Sequence, residues 1–182
     1  MLNRISNPYL RGALEWAFAI GIAVVFFIIM RNWVFRMAHV SGDSMEPTLS
    51  NGNMVILTRL PFLFSAPRSG DIVAFPNPAN PSEFYIKRVI GVPGDIVDLR
   101  SGVFYLNDAP LQDDFSTNVI RDFARGDVFF PLIVEEGHFF VLGDNRSGSM
   151  DSRHRVVGNI SSRDMVGRVL VRVWPLNVVG SV

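Results

Sequence analysis

No cysteine occurs among the 182 residues, which removes disulfides, a thiolate nucleophile and thiolate metal sites from consideration. The same absence suits an oxidising, extracytoplasmic compartment without requiring one. An excess of either charge is lacking too: Lys+Arg and Asp+Glu stand at 17 each, so no net field recruits nucleic acid. Histidine is scarce, with only His39, His138 and His154. Their spacing suits no metal site, and none sits beside an obvious carboxylate partner. Neither a metal nor another cofactor is therefore expected, although His39 lies near a candidate nucleophile and keeps a Ser-His arrangement open. Internal repeats, low-complexity tracts and a long helix beyond the N-terminal region are also missing.

Apolar residues, by contrast, are plentiful. They make up 48% of the chain, mean hydropathy is +0.26, and much of the excess is concentrated in residues 13–30, where Glu15 is the only charge. Extended to Phe35, this stretch is long enough to cross a hydrocarbon core as one helix, with Trp16 and Trp33 at the two interfaces. A cleaved signal peptide would share the basic start and apolar middle. The exit Met30-Arg31-Asn32-Trp33 shows no small-residue cleavage pattern, so a retained anchor is expected. Arg4 and Arg11 before the span balance Arg31 and Arg36 after it, and charge alone leaves the orientation open. The expected organisation is a short tail over 1–12, an anchor over 13–35 and one catalytic domain over 36–182.

Beyond the span, short apolar runs broken by Gly, Pro, Asn and Asp read as strands. The expected strands cover residues 54–57, 71–75, 84–92, 96–99, 103–106, 138–142 and 167–173. Ser101-Gly102 and Asn107-Asp108 are expected tight turns. The proline-rich stretches 61–67 and 76–81 read as loops, because proline cannot donate to a central ladder. Residues 106–136 are less regular and read as an inserted lobe with loops such as 112–118. The fold class is mainly β: an all-β catalytic core with a β-rich, variable insertion at about 98–136, preceded by one N-terminal transmembrane helix.

Three segments carry chemistry. In Ser41-Gly42-Asp43-Ser44-Met45-Glu46-Pro47-Thr48-Leu49 the turn formers permit an exposed hydroxyl, with backbone N–H groups aimed at an oxyanion; alone, a serine so placed reads first as part of an ordinary polar turn. In Tyr85-Ile86-Lys87-Arg88-Val89-Ile90, alternation puts Tyr85, Lys87 and Val89 on one face and Ile86, Arg88 and Ile90 on the other. An exposed cation is the bland reading of Lys87. As a base for Ser44 it needs a pKa lowered from about 10.4 to roughly 7–8, a cost of roughly 4 kcal/mol that burial can impose. Met45 and Tyr85 are candidates for the dry surroundings and the substrate pocket. The third segment, Gly143-Asp144-Asn145-Arg146-Ser147-Gly148-Ser149-Met150-Asp151-Ser152-Arg153, alternates acids and arginines. Asp144 or Asp151 pairing with Arg146 or Arg153 would lock it, and a solvated turn with ion pairs of about 0–1 kcal/mol is its bland reading.

Taken in order behind the anchor, these segments, with Gly70-Asp71-Ile72-Val73, Gly91-Val92-Pro93-Gly94-Asp95 and Val166-Gly167-Arg168, resemble the type I (bacterial, leader) signal peptidases. These are Ser-Lys endopeptidases that cut signal peptides from exported proteins. The resemblance implies Ser44 as nucleophile and Lys87 as general base. Ser149 would orient the lysine, while Asp144 with Arg146 and Asp151 with Arg153 would support the site. The Ser44 N–H would be one oxyanion donor. Some members supply a second from a serine two residues earlier; here that residue is Gly42, leaving Ser41, another N–H or water. The family further implies a β core and cleavage after small residues at the first and third positions before the cut. Its substrates are exported preproteins, at the bilayer, with the secretion channel a candidate contact. The N-terminus would be cytosolic and the catalytic domain on the extracytoplasmic (periplasmic) face of the bacterial cytoplasmic (inner) membrane. Phe35, Met37, residues 61–64 and Trp174 would either dip into lipid or pack in the core. The rivals are a self-cleaving repressor, which would carry a DNA-binding domain in place of the anchor, a peptidase dedicated to one pilin-like substrate, and an inactive membrane-anchored binding module.

Overall fold

The computed structural model describes residues 8–29, 34–112, 116 and 126–182. Trp33, expected at an interface, lies outside the described residues, as does most of the expected loop 112–118. Two compact units emerge, Met1–Arg36 and Met37–Val182.

In the first unit, α1 (Pro8–Ile29) is a helix of 22 residues. Proline at its first position costs no hydrogen bond, because the first-turn N–H groups have no intrahelical acceptor. At about 1.5 Å per residue the helix is roughly 33 Å long, enough for a hydrocarbon core. Trp16, Phe18, Phe26 and Phe27 are exposed, and apolar side chains on every side suit lipid better than a globular surface. Length and composition both qualify Arg11–Ile28 as a membrane span. The lone acid, Glu15, pairs with Arg11 one turn earlier at 3.0 Å. The helix starts earlier than the expected span, and Phe35, at that span's far end, opens a strand instead. Arg36 and His39 break the apolar run there, and the extended backbone finds a partner strand.

The strands are β1 (Phe35–His39), β2 (Met54–Thr58), β3 (Ile72–Asn77), β4 (Asn80–Gly91), β5 (Ile96–Arg100), β6 (Val103–Leu106), β7 (Ala109–Pro110), β8 (Leu132–Ile133), β9 (His138–Leu142), β10 (Ile160–Ser161), β11 (Gly167–Trp174) and β12 (Gly180–Ser181). Among the described residues they form an eight-stranded sheet, ordered β1-β2-β11-β3-β4-β9-β10 with β12 on β11, and a four-stranded sheet ordered β7-β6-β5-β8. The mainly β architecture with one N-terminal apolar helix is as expected from the sequence.

The long strand β4 positions the site. It pairs with β3 in the register Val73↔Lys87 and Ile72↔Arg88, whereas β9 joins it only from Arg88 onward. Its first half is thus paired on one side only. Around Lys87 both faces of the sheet are covered: Ile72, Ala74 and Ile86 pack with Met45 and Leu49, while Val73, Phe75 and Val89 pack with Phe139 and Val141. Residues 76–81, expected as a loop, are instead the tip of the β3–β4 hairpin, closing at Asn77↔Asn80. Pro76 and Pro81 are tolerated there because the missing N–H groups fall where one edge has no partner strand.

In the second sheet both expected tight turns are present. Ser101 and Gly102 have φ of 49° and 80°, Asn107 and Asp108 of 52° and 64°, as two-residue hairpin turns require. Phe104, Phe130 and Phe140 meet edge to face at 5.9–6.1 Å, joining this sheet to β9.

Candidate active site

Ser44 follows β1 on a turn closed by Glu46 N–H to Asp43 O (3.0 Å) and Leu49 N–H to Met45 O (2.8 Å). Met45 and Leu49 are buried and anchor it. Gly42 has φ +89°, a left-handed conformation that favours glycine, and its N–H donates to Asn51 Oδ1 at 3.1 Å. From across the fold, Asn145 holds the turn with its N–H on Ser44 O at 3.1 Å and its Nδ2 on Asp43 O at 3.3 Å.

Lys87 comes from the singly paired half of β4. Its Nζ lies 2.8 Å from Ser44 Oγ and donates to the Ile86 carbonyl at 3.0 Å. The side chain is 3% exposed. Burial lowers its pKa to about 8; Asp151 pulls it up, Arg153 pushes it down, and Asp144 pulls it up again. The Tyr85 ring lies 5.0 Å from Nζ. A base of this kind is about one-tenth neutral at pH 7.

The supporting ion pairs go beyond those expected. Asp144 is held in a bidentate pair by Arg88, with Nε to Oδ1 at 2.8 Å and Nη2 to Oδ2 at 2.6 Å, while Arg88 Nη1 reaches Gly70 O at 2.9 Å. Arg146 directs its Nε to Gly143 O at 2.8 Å. Register explains the first pairing: β4 aims Arg88 at the carboxylate, while Arg146 braces its own loop. Asp151 and Arg153 do pair, at 2.8 Å through both oxygens, and Asp151 also accepts the Gly143 N–H at 3.0 Å. Burial would raise the Asp151 pKa, but the Arg153 bonds and charge and the Gly143 N–H outweigh it and hold the carboxyl below its usual range. Arg153 Nη1 further donates to Arg146 O at 2.7 Å.

Ser149 is buried, and its hydroxyl lies beside Asp151, where it helps to hold that carboxyl below its usual range. The second acceptor of the Lys87 amine is the Ile86 carbonyl. A side chain at Gly143 would collide with both Ser149 Oγ and Ser44 O, so the 143–153 loop and the Ser44 turn meet there with no room to spare.

These groups border a cleft of about 240 Å³ whose walls include Ser41, Gly42, Ser44, Met45, Tyr85 and Lys87, with His39 at one side and Met150 at another. His39 faces this cleft, but the contact to Ser44 Oγ is made by Lys87. Among the described residues no group of three or more His, Asp or Glu is placed to hold a metal ion. Reasoning from sequence missed Arg88 as the partner of Asp144, Asn145 and Asn51 as clamps on the nucleophile turn, and the Ile86 carbonyl. Asn145 was legible as part of its motif; the others depend on strand register and chain crossing.

The profile of the family described as "Signal peptidase, peptidase S26" matches residues 13–174. "Signal peptidase I" of Leptolyngbya laminosa is 36% identical over 168 residues, 88% of this chain and 79% of that one. "Signal peptidase I" of Bacillus caldolyticus is 36% identical over 170 residues, 88% and 90% of the two chains. "Signal peptidase I S" of Bacillus subtilis (strain 168) is 35% identical over 173 residues, 92% of each. A match across this much of the chain, covering the Ser44, Lys87 and 143–153 segments together, shows that the chain belongs to the signal peptidase I, peptidase S26 family of serine peptidases.

Proposed function

We propose that Ser44 and Lys87 are the nucleophile and general base with which this signal peptidase removes signal peptides from preproteins. The observation that carries the reading is the 2.8 Å contact between a buried Lys87 Nζ and Ser44 Oγ. As Ser44 Oγ attacks the scissile carbonyl, the neutral amine takes its proton. The tetrahedral oxyanion is met by the Ser44 N–H. Collapse breaks the C–N bond, the ammonium returns the proton to the leaving amine, and an acyl-enzyme ester remains. Lys87 then deprotonates the water that hydrolyses the ester. Because the Gly42 N–H is already given to Asn51, the Ser41 hydroxyl on the cleft wall is the candidate second donor. Ser149, buried in the loop beside Asp151, is suited to steady the amine as its charge changes. Asp144, Arg146, Asp151 and Arg153 hold the loop that carries it.

The substrate enters as an extended chain between β1, which ends the sheet's path, and the singly paired half of β4, with backbone pairing for affinity. Met45, Tyr85 and Ile86 favour small side chains at the first and third positions before the cut, since larger ones would overpack. The four-stranded sheet is the family's variable insertion on the catalytic domain. The N-terminus is cytosolic, α1 anchors the chain in the cytoplasmic membrane, and catalysis occurs on the extracytoplasmic side, within reach of the secretion channel. Phe62 packs against the core, whereas Met37, Phe64 and Trp174 are exposed and suit contact with lipid. Partners are preproteins and the bilayer, without nucleic acid.

Cleavage of a preprotein in detergent or lipid tests the mechanism. Ser44→Ala and Lys87→Ala should each lose on the order of 1,000-fold or more in kcat, as removal of members of such units does, and kcat/KM of the parent should rise with pH through about 8. Retained cleavage by either variant would sink the dyad.

A further inference from the structure

We propose that Thr48 is a positioning residue for the dyad, its hydroxyl joining the nucleophile turn to the strand that carries the base. Its Oγ1 donates to Asp144 Oδ2 at 2.5 Å and accepts from Arg88 Nη2 at 3.3 Å. The same Asp144 oxygen takes Arg88 Nη2 at 2.6 Å, so hydroxyl, guanidinium and carboxylate close a ring. Arg88 follows Lys87 directly, Asp144 precedes the Asn145 that grips Ser44 O, and Thr48 lies four residues after Ser44. One hydroxyl thus ties together the three segments whose relative placement sets the distance from Ser44 Oγ to Lys87 Nζ.

A threonine is suited to this place because one hydroxyl donates and accepts at once. The ion pair it completes is buried, with Arg88 3% and Asp144 0% exposed, so the ring is shielded from competing water. From behind, Arg172 on β11 fixes the same residue by its backbone: Nη1 donates to Thr48 O at 2.9 Å, while Nε donates to Val178 O at 2.8 Å. Thr48 is not part of the cleft wall, so it acts through the dyad and not on the substrate.

The proposal rests on the Ser44–Lys87 reading, and the experiment separates the two. Steady-state cleavage of a preprotein by the full-length protein in detergent is compared for the parent, Ser44→Ala, Lys87→Ala, Thr48→Val, Thr48→Ser and Arg172→Gln. Thr48→Val keeps the shape and removes the hydroxyl; kcat should fall at least tenfold with KM within twofold. Thr48→Ser should recover kcat to within threefold of the parent. Unchanged kcat in Thr48→Val, a change confined to KM, or no recovery with serine would overturn the proposal while Ser44→Ala and Lys87→Ala stayed inactive. Activity in those two would overturn the dyad itself. If Thr48→Val does not fold, Arg172→Gln decides: a fall in kcat at constant KM supports the role, and parental kcat refutes it.

Discussion

Lys87 and Arg88 are consecutive residues of one strand, each 3% exposed, and the fold treats their charges in opposite ways. Arg88 is given a carboxylate with matched geometry, two bonds to Asp144 and a carbonyl besides. Lys87 is given a hydroxyl and a carbonyl, with the nearby acids already engaged by arginines. Desolvation therefore remains largely uncompensated at Lys87, and its pKa falls to about 8. Burial alone does not make a base; burial with the counter-ion assigned to the neighbouring residue does. Arginine suits the structural half of the pair because it stays protonated, and lysine the chemical half because it does not.

Breaking the two halves should therefore have opposite consequences. Arg88→Met leaves Asp144 buried without its bidentate partner and should cost about 3–5 kcal/mol of stability, read from denaturant midpoints; adding Asp144→Asn should return most of it. At the next residue, Lys87→Met should raise stability at pH 7 by about 2–3 kcal/mol while abolishing cleavage. The sign follows from linkage: the folded pKa of about 8 lies below the unfolded 10.5, so the penalty of the buried ammonium is fully present below pH 8. It fades as pH rises from about 8 to 10.5, and the advantage of Lys87→Met should vanish over that window. A destabilised Lys87→Met at pH 7 would contradict the account. The smallest effect is expected from Tyr85→Leu. The ring 5.0 Å from Nζ favours the ammonium, so its loss should lower the Lys87 pKa further and move the acidic limb of the rate profile down by about half a pH unit.

Ser44 and Lys87 stood out because each sits in a dense local motif, and the alternating pattern of residues 85–90 separated two cations that the structure sends to different partners. It gave no view of which face was buried, and the structure buries both. The pairing of Asp144 with Arg88 was not legible, since it spans 56 positions and follows from the joint register of β3, β4 and β9. The strand β1 was hidden for another reason. Its Phe35, Met37 and Ala38 continue the apolar run of the helix, and hydropathy does not mark the change from period 3.6 to period 2 in so short a segment. Turns fared best, because Ser101-Gly102 and Asn107-Asp108 state their backbone geometry in their own chemistry.

The contacts around Ser44 also impose an order in time. Its Lys87 contact lies 43 positions later in the chain, the Asn145 bond to Asp43 O spans 102 positions, and the Arg172 grip on Thr48 O spans 124. A chain made from its N-terminus shows the serine early and acquires the groups that hold its turn only when β9, the 143–153 loop and β11 have followed. Until then the hydroxyl is an ordinary alcohol in water. With Ser44 and Lys87 as the proposed dyad, proteolytic competence arrives with the late strands, and a half-made molecule has no means of cutting its substrates.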